Sequence, residues 1–265
     1  MTNKIGVGVI TCDRPEFLAN CLNSITAVDT LVVVNDGRPV NVASQANADI
    51  HVIEHTRKKS VGVSKNEAMR YLISQQCDHI FLIEDDMLIT DPDVFTHYIK
   101  GAEVSGIWHM NFGYHGPANM HNGVPTPREV ITYDGIDIAF NANCVGSFSY
   151  YLAGVIKQCG YMDERFFNAW EHVEHTYNII KAGLHPPFWW FADLADSHKY
   201  IKEQASSEVN SAIRKSEEWY SNLRSGALLF KQKHGAIPTH IPQTAPEKVI
   251  KELERIQQYY ARKVL

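Results

Sequence analysis

Short apolar runs recur through the first hundred residues, each closed by polar or acidic positions. Ile5 to Ile10 is the first, broken by Thr11-Cys12-Asp13-Arg14-Pro15. A helix follows from about Glu16 to Ile25, with Pro15 in its first turn and Asp13 as its cap. Leu31 to Val34 is the second run and ends in Asn35-Asp36-Gly37; Ile50 to Glu54 is a third strand. Gly62 to Gln76 places Val63, Ala68, Met69, Leu72 and Ile73 on one face of a helix. Ile80 to Ile83 then runs into Glu84-Asp85-Asp86, followed by Met87-Leu88-Ile89 and a helix from about Pro92 to Val104. Runs this short and this apolar suit strands buried on both faces of a mainly parallel sheet. Their alternation with helices predicts a doubly wound α/β fold.

In such a sheet, ligands bind at the carboxyl edge, where Thr11, Asp36 and the acidic triplet fall. Three adjacent carboxylates raise one another's cost of ionisation and call for a cation. Oxygen-only ligands open to water suit Mg²⁺ or Mn²⁺. Taken alone, the triplet reads equally well as a solvated acidic turn.

Past residue 105 the pattern loosens. Trp108 to His115 reads as a strand leaving the core, and Gly116 to Arg128 has loop composition, as a lid or a surface excursion. Asn143 to Tyr151 reads as a further strand. Trp170-Glu171-His172-Val173-Glu174-His175 opens a helix that runs to Gly183 as its C-cap. Pro186 to Phe191 puts four aromatics together, as a sugar platform or a buried strand. Ser206-Ser207 reads as a turn, with Ile213, Trp219, Leu223 and Leu228 as packing positions. Ile237 to Pro246 is a proline-spaced linker. The helix from Glu247 to Leu265 carries Val249, Ile250, Leu253, Ile256 and Tyr260 along one side. That stripe is read first as packing on the same chain, second as a homo-oligomer contact and third as membrane docking.

The chain has 265 residues and a net charge of −5, which weighs against broad binding to polyanions. Cys12, Cys21, Cys77, Cys144 and Cys159 are scattered without a Cys-x-x-Cys pair, as expected for reduced thiols in a cytoplasmic protein. The N-terminus lacks a signal-peptide pattern, and no apolar stretch is long enough to predict a transmembrane segment.

Five segments, in order, resemble the family 2 glycosyltransferases of GT-A fold: IGVGVITCDRPEFLANCLNSI, LVVVNDG, VGVSKNEAMRYL, FLIEDDMLI and GYMDERFFNAWEHVEHTYNIIKAGL. They span roughly residues 5 to 185. The resemblance implies a GT-A catalytic domain over 1–236, with a nucleotide-binding half (1–104) and an acceptor half (105–236). Residues 237–265 would form the linker and C-terminal helix. It also implies metal-dependent, inverting transfer from a nucleotide-sugar donor, a UDP-sugar, to an acceptor hydroxyl on a glycan.

Under that resemblance, Thr11 and Asp36 would hold uracil and ribose, with Asp13, Arg14, Arg57, Lys65, Asn66, Glu84 and Asp85 completing the donor site. Asp86 and His198 would hold Mn²⁺ or Mg²⁺. Gly146 and Ser147 would approach the donor sugar. Glu171 is the first candidate for the base, with His172 second and Glu174 third; the competing reading makes Glu171 a helix cap. Two positions depart from the family: Glu84 stands where Asp is commoner, and His172 where relatives carry Asp.

Other readings remain open. The acceptor could be a hydroxymethylated base in DNA, and the fold could serve as a catalytically silent nucleotide- or sugar-binding scaffold. A nucleotidyltransferase would need a Gly-rich loop after the first strand, which is absent. His172 and His175, three apart, match neither zinc-hydrolase spacing.

Overall fold

The computed structural model describes residues 3–26, 28–42, 50–204 and 215–261. Ser206, Ser207 and Ile213 lie outside the described residues. The four early apolar runs form β1 (Ile5–Thr11), β2 (Thr30–Asn35), β3 (Ile50–Glu54) and β4 (His79–Glu84). Helix α1 (Pro15–Ser24) follows β1, and α2 (Val61–Ser74) lies between β3 and β4. The chain breaks at Asp85-Asp86, so Met87–Ile89 is a separate strand, β5, ahead of α3 (Val94–Ser105) and β6 (His109–Asn111).

The Gly116–Arg128 stretch folds on itself as a ribbon of β7 (Met120–His121) and β8 (Val124–Pro125). A second hairpin follows, β9 (Glu129–Tyr133) and β10 (Ile136–Asn141). Its turn is Asp134-Gly135, both at positive φ (46° and 80°), as two-residue hairpin turns require. The remaining elements are β11 (Phe148–Leu152), α4 (Ala153–Cys159), α5 (Glu171–Lys181), β12 (Phe191–Leu194), α6 (Ser197–Tyr200), β13 (Ile201–Glu203), α7 (Trp219–His234) and α8 (Pro246–Ala261).

A six-stranded sheet runs in the order β3-β2-β1-β4-β11-β6. Its first four strands are parallel, and β11 and β6 add antiparallel pairings. Val7, Val9, Val32, Val33, Ile80, Phe81, Leu82 and Ile83 are fully buried, which accounts for the unbroken apolar runs. The fold is therefore α/β with a mainly parallel sheet flanked by helices, as the alternation predicted. A three-stranded antiparallel sheet, β12-β10-β9, stands beside it.

Two local expectations are corrected. Helix α1 has Arg14 at its N-cap with no side-chain cap bond. Asp13 sits at φ 56°, and its carboxylate accepts from the Arg38 backbone N–H instead. Of the aromatics at 186–191, Phe188, Trp190 and Phe191 are buried, and the indoles of Trp189 and Trp190 donate to the carbonyls of Ile241 and Thr244. This stretch is core and an anchor for the proline-spaced segment.

On α8, Val249, Leu253, Ile256 and Tyr260 are buried against the same chain, while Ile250 remains 46% exposed. Each such burial stabilises by roughly 1.5–3 kcal/mol. No helix among the described residues is long and apolar enough to cross a membrane.

Candidate active site

The parallel register decides which residues meet. Thr11 pairs with Asn35 and Ile10 with Glu84, so β1, β2 and β4 end along one line. The ladder continues past the strand ends: Asp36 N–H donates to Thr11 O (2.9 Å) and Asp85 N–H to Ile10 O (3.0 Å). At this edge opens a cavity of about 750 Å³, within the range of small-ligand sites. Its walls include Thr11, Arg14, Asp36, Glu84, Asp86 and, across the opening, Glu171 and His172.

The acidic triplet is split into three environments. Asp85 is fully buried; it accepts from Thr11 Oγ1 (2.6 Å) and pairs with Arg14. Burial outweighs the pull of Arg14 and pushes its carboxyl up to about 7. Asp86 reaches Arg14 Nη1 through Oδ2 (3.1 Å), while its Oδ1 is buried with no hydrogen-bond partner. Burial and the neighbouring Glu84 raise the Asp86 carboxyl. Burial would raise Glu84 as well, but Lys65 at 2.8 Å holds it below the usual range.

These groups fit a hard divalent cation. Asp86 lines the cavity, and its Oδ1 is a buried oxygen with no hydrogen-bond partner. Among the described residues no three His, Cys, Asp or Glu side chains converge as a closed cage. Mg²⁺ and Mn²⁺ take part of their shell from substrate phosphates and water, so what the protein must offer them is a free carboxylate oxygen such as Asp86 Oδ1. Among the lining residues, Asp36, Glu84, Asp86, Glu171 and Glu218 outnumber the cationic Arg14 and Lys58. A diphosphate entering this wall needs added positive charge.

The N-cap of α5, Trp170, makes no side-chain cap bond, and Glu171 follows as the first helical residue. Oε1 faces His172 Nδ1 (2.9 Å) and Lys65 Nζ (3.8 Å). Burial would raise this carboxyl; His172 and Lys65 outweigh it and bring it to about 2. Glu171 is thus buried, ionised and on the cavity wall. Glu174 faces away, paired with Lys233 (2.6 Å) and His234 (3.1 Å) on α7. Gly146 matters for close approach: a Cβ there would lie 2.7 Å from His172 Cγ and 3.1 Å from Lys65 Nζ.

Asp36 is oriented by two donors on Oδ1, His55 Nδ1 (2.6 Å) and Lys59 N–H (2.7 Å). His55 is buried and also reaches Glu67 (2.7 Å). Lys65 is itself buried rather than lining the cavity, bonded to Glu84 and to Gly146 O, both at 2.8 Å. Asn66 is spent elsewhere: its amide exchanges bonds with the Met162 backbone and reaches Glu164. Arg57 is exposed and does not line the cavity; its neighbour Lys58 does, paired with Asp13 at 2.9 Å. Lys58 and Arg38 hold the Asp13 carboxyl down to about 2.

His198 sits on α6 with its ring edge-on to Tyr114 (5.5 Å) and does not line the cavity. The histidine on the wall beside Asp86 is His115, whose Nδ1 lies 2.9 Å from Glu203. Sequence reasoning missed His115, His55 and Phe167, and read Lys58 only as positive charge close to the nucleotide. Lys58 was one position from the residue chosen, whereas nothing local marks the two histidines.

No family model matches the chain, and no curated protein matches it in sequence. Solved structures do. S. aureus TarS 1-349 aligns with a TM-score of 0.52 at 14% identity, covering 87% of this chain and 72% of that one. Its complex with UDP gives 0.52 at 15% identity over 89% and 73%. The complex with UDP-GlcNAc gives 0.52 at 13% identity over 89% and 74%. The chain has the GT-A fold. Against the longer TarS structure, the GT-A match covers 86% of this chain and 43% of that one, with a TM-score of 0.51. Identity this low speaks for the GT-A fold alone.

Proposed function

We propose that this GT-A chain is a metal-dependent glycosyltransferase that moves a sugar from a UDP-sugar to an acceptor hydroxyl on a glycan, with inversion. The observation that carries the reading is the shared wall: a buried, ionised Glu171 stands in one cavity with Glu84 and Asp86 of the acidic strand end. TarS, which shares the fold, has been crystallised with UDP and with UDP-GlcNAc.

In this reading, Asp36, aligned by His55, and Thr11 receive the nucleoside. Asp86 would hold Mn²⁺ or Mg²⁺, which supplies charge neutralisation for the departing diphosphate. Arg14 fixes the Asp85 and Asp86 carboxylates in place. Glu171 takes the proton from the acceptor hydroxyl as it attacks the anomeric carbon opposite UDP. His172, against Glu171 Oε1, orients that carboxylate. The five free thiols support a reducing, cytoplasmic setting.

The test is UDP release from UDP-glucose, UDP-galactose and UDP-GlcNAc in the presence of oligosaccharides, with the product's anomeric configuration read by NMR. Release that needs Mn²⁺ or Mg²⁺ and gives the opposite anomer supports the proposal. A retained anomer would remove the Glu171 mechanism, and no turnover despite tight UDP binding would favour a silent scaffold.

A further inference from the structure

Phe167 is 41% exposed on the cavity wall, whereas its neighbour Phe166 is fully buried. Phe166 is locked into a satellite core with Val173, Phe188, Phe191 and Phe230, and Lys233 Nζ lies 5.6 Å from its ring centroid. One residue on, Asn168 Oδ1 accepts the Val61 backbone N–H (2.9 Å). Trp170 Nε1 donates to Leu223 O (2.9 Å) on α7. Phe167 is therefore presented outward from a segment anchored on both sides.

That segment is also strained. Asn168 lies at φ 54° and Trp170 at φ 70°, and a bulky residue in the left-handed region is a true outlier. Such strain persists where surrounding contacts over-determine it, and it clusters at ligand sites. Helix α7 closes against this turn through Gly226, where a Cβ would lie 2.8 Å from Trp170 Cδ1. The same helix brings half-buried Trp219 to the cavity wall, with Asn222 and Glu218 beside it.

We propose that Phe167, Trp170 and Trp219 form the acceptor subsite, and that it takes the apolar face of a neutral sugar ring. The proposal rests on the glycosyltransferase reading above and names where and how the acceptor binds. The wall continues directly into Glu171 and His172, so a ring held there brings its hydroxyls towards the base. The exposed Phe167 and the half-buried Trp170 and Trp219 offer apolar contact, while Asn222 and Glu218 offer partners for hydroxyls. The excess of acids over cations on the described cavity wall disfavours a phosphodiester backbone, which needs lysines and arginines. A sugar ring matches the aromatic and polar lining without bringing the phosphate charge that the acidic wall disfavours.

The experiment uses the full chain with UDP and Mn²⁺, probed by saturation-transfer NMR and tryptophan fluorescence. The probes are chitobiose, cellobiose, lactose and maltose, with a duplex containing 5-hydroxymethylcytosine as the competing class. At least one disaccharide should bind with its ring C–H protons saturated. Phe167→Ala should weaken that binding about tenfold, and Phe167→Tyr should restore it to within about twofold. UDP affinity, measured separately by calorimetry, should stay within about twofold of wild type in both variants. Disaccharide binding untouched by Phe167→Ala overturns the subsite, as does binding of the duplex alone or of no probe while UDP binds. UDP failing to bind the wild-type chain at all would instead remove the glycosyltransferase reading.

Discussion

Lys65 Nζ lies 3.8 Å from Glu171 Oε1 and 2.8 Å from Glu84 Oε1. One buried ammonium thus ties the carboxylate at the end of β4 to the carboxylate at the start of α5. The end of β4 and the start of α5, which both contribute to the cavity wall, meet on this side chain. Its other bond, to Gly146 O, holds the loop before β11 against both.

Removing that cation leaves Glu84 and Glu171 without the ammonium they share. Lys65→Ala should therefore cost about 3–5 kcal/mol, the scale for breaking a buried ion pair from one side. Urea denaturation measures it. A loss under about 1 kcal/mol would mean that water already screens the cluster.

Glu171→Gln keeps the shape of the side chain and removes its basicity. Turnover should fall by about 10²- to 10⁴-fold, the usual contribution of a positioned base, with UDP affinity unchanged. Steady-state kinetics beside calorimetry separates the two effects. The opposite pattern, with His172→Ala abolishing turnover and Glu171→Gln sparing it, would move the base to the imidazole.

Glu171 also sets a pH dependence of stability. Its folded carboxyl is brought to about 2, below the ordinary 4.5. The stability it contributes is therefore fully present above pH 4.5 and is lost as pH falls from there towards 2. Thermal unfolding should place Glu171→Gln below wild type at pH 7, and the gap should narrow steadily below pH 4.5. A gap that stays constant down to pH 3 would show that charge is not what holds the residue.

His55 touches no ligand in this account; it acts through Asp36. Deleting its 2.6 Å contact leaves Asp36 Oδ1 held by the Lys59 N–H alone. His55→Ala should weaken UDP binding by about 10- to 100-fold, the worth of one hydrogen bond to a charged group. Because both residues serve one contact, His55→Ala combined with Asp36→Asn should cost much less than the sum of the two. Additive losses would separate them.

The centre of the parallel half was legible because β1, β2 and β4 are buried on both faces and write themselves as apolar runs, whereas the edge strand β3 is half exposed. The same runs put Thr11, Asp36 and Glu84 to Asp86 at one edge, and the register brings them together. The hairpin of β9 and β10 was not read, although Asp134-Gly135 is a strong turn signal. Strand β9 is largely exposed and β10 is buried only from Ile138 onward, so neither shows one clear period between the loops. His115 and His55 could not be found from local pattern. Each gains its meaning only from a carboxylate far away in sequence, Glu203 for one and Asp36 for the other. Asn66 erred in the opposite direction: it sits in a recognisable motif, yet its amide is consumed by the Met162 turn.

The most direct test of the account is calorimetric titration of UDP into the wild-type chain and Asp86→Asn, each with Mn²⁺ and then with EDTA. Wild type should bind UDP with Mn²⁺ and lose most of that affinity in EDTA. Asp86→Asn should bind as weakly with Mn²⁺ as wild type does without it. UDP binding that ignores both the metal and the substitution would contradict a cation held at Asp86, and no UDP binding under any condition would contradict the nucleotide-sugar site itself.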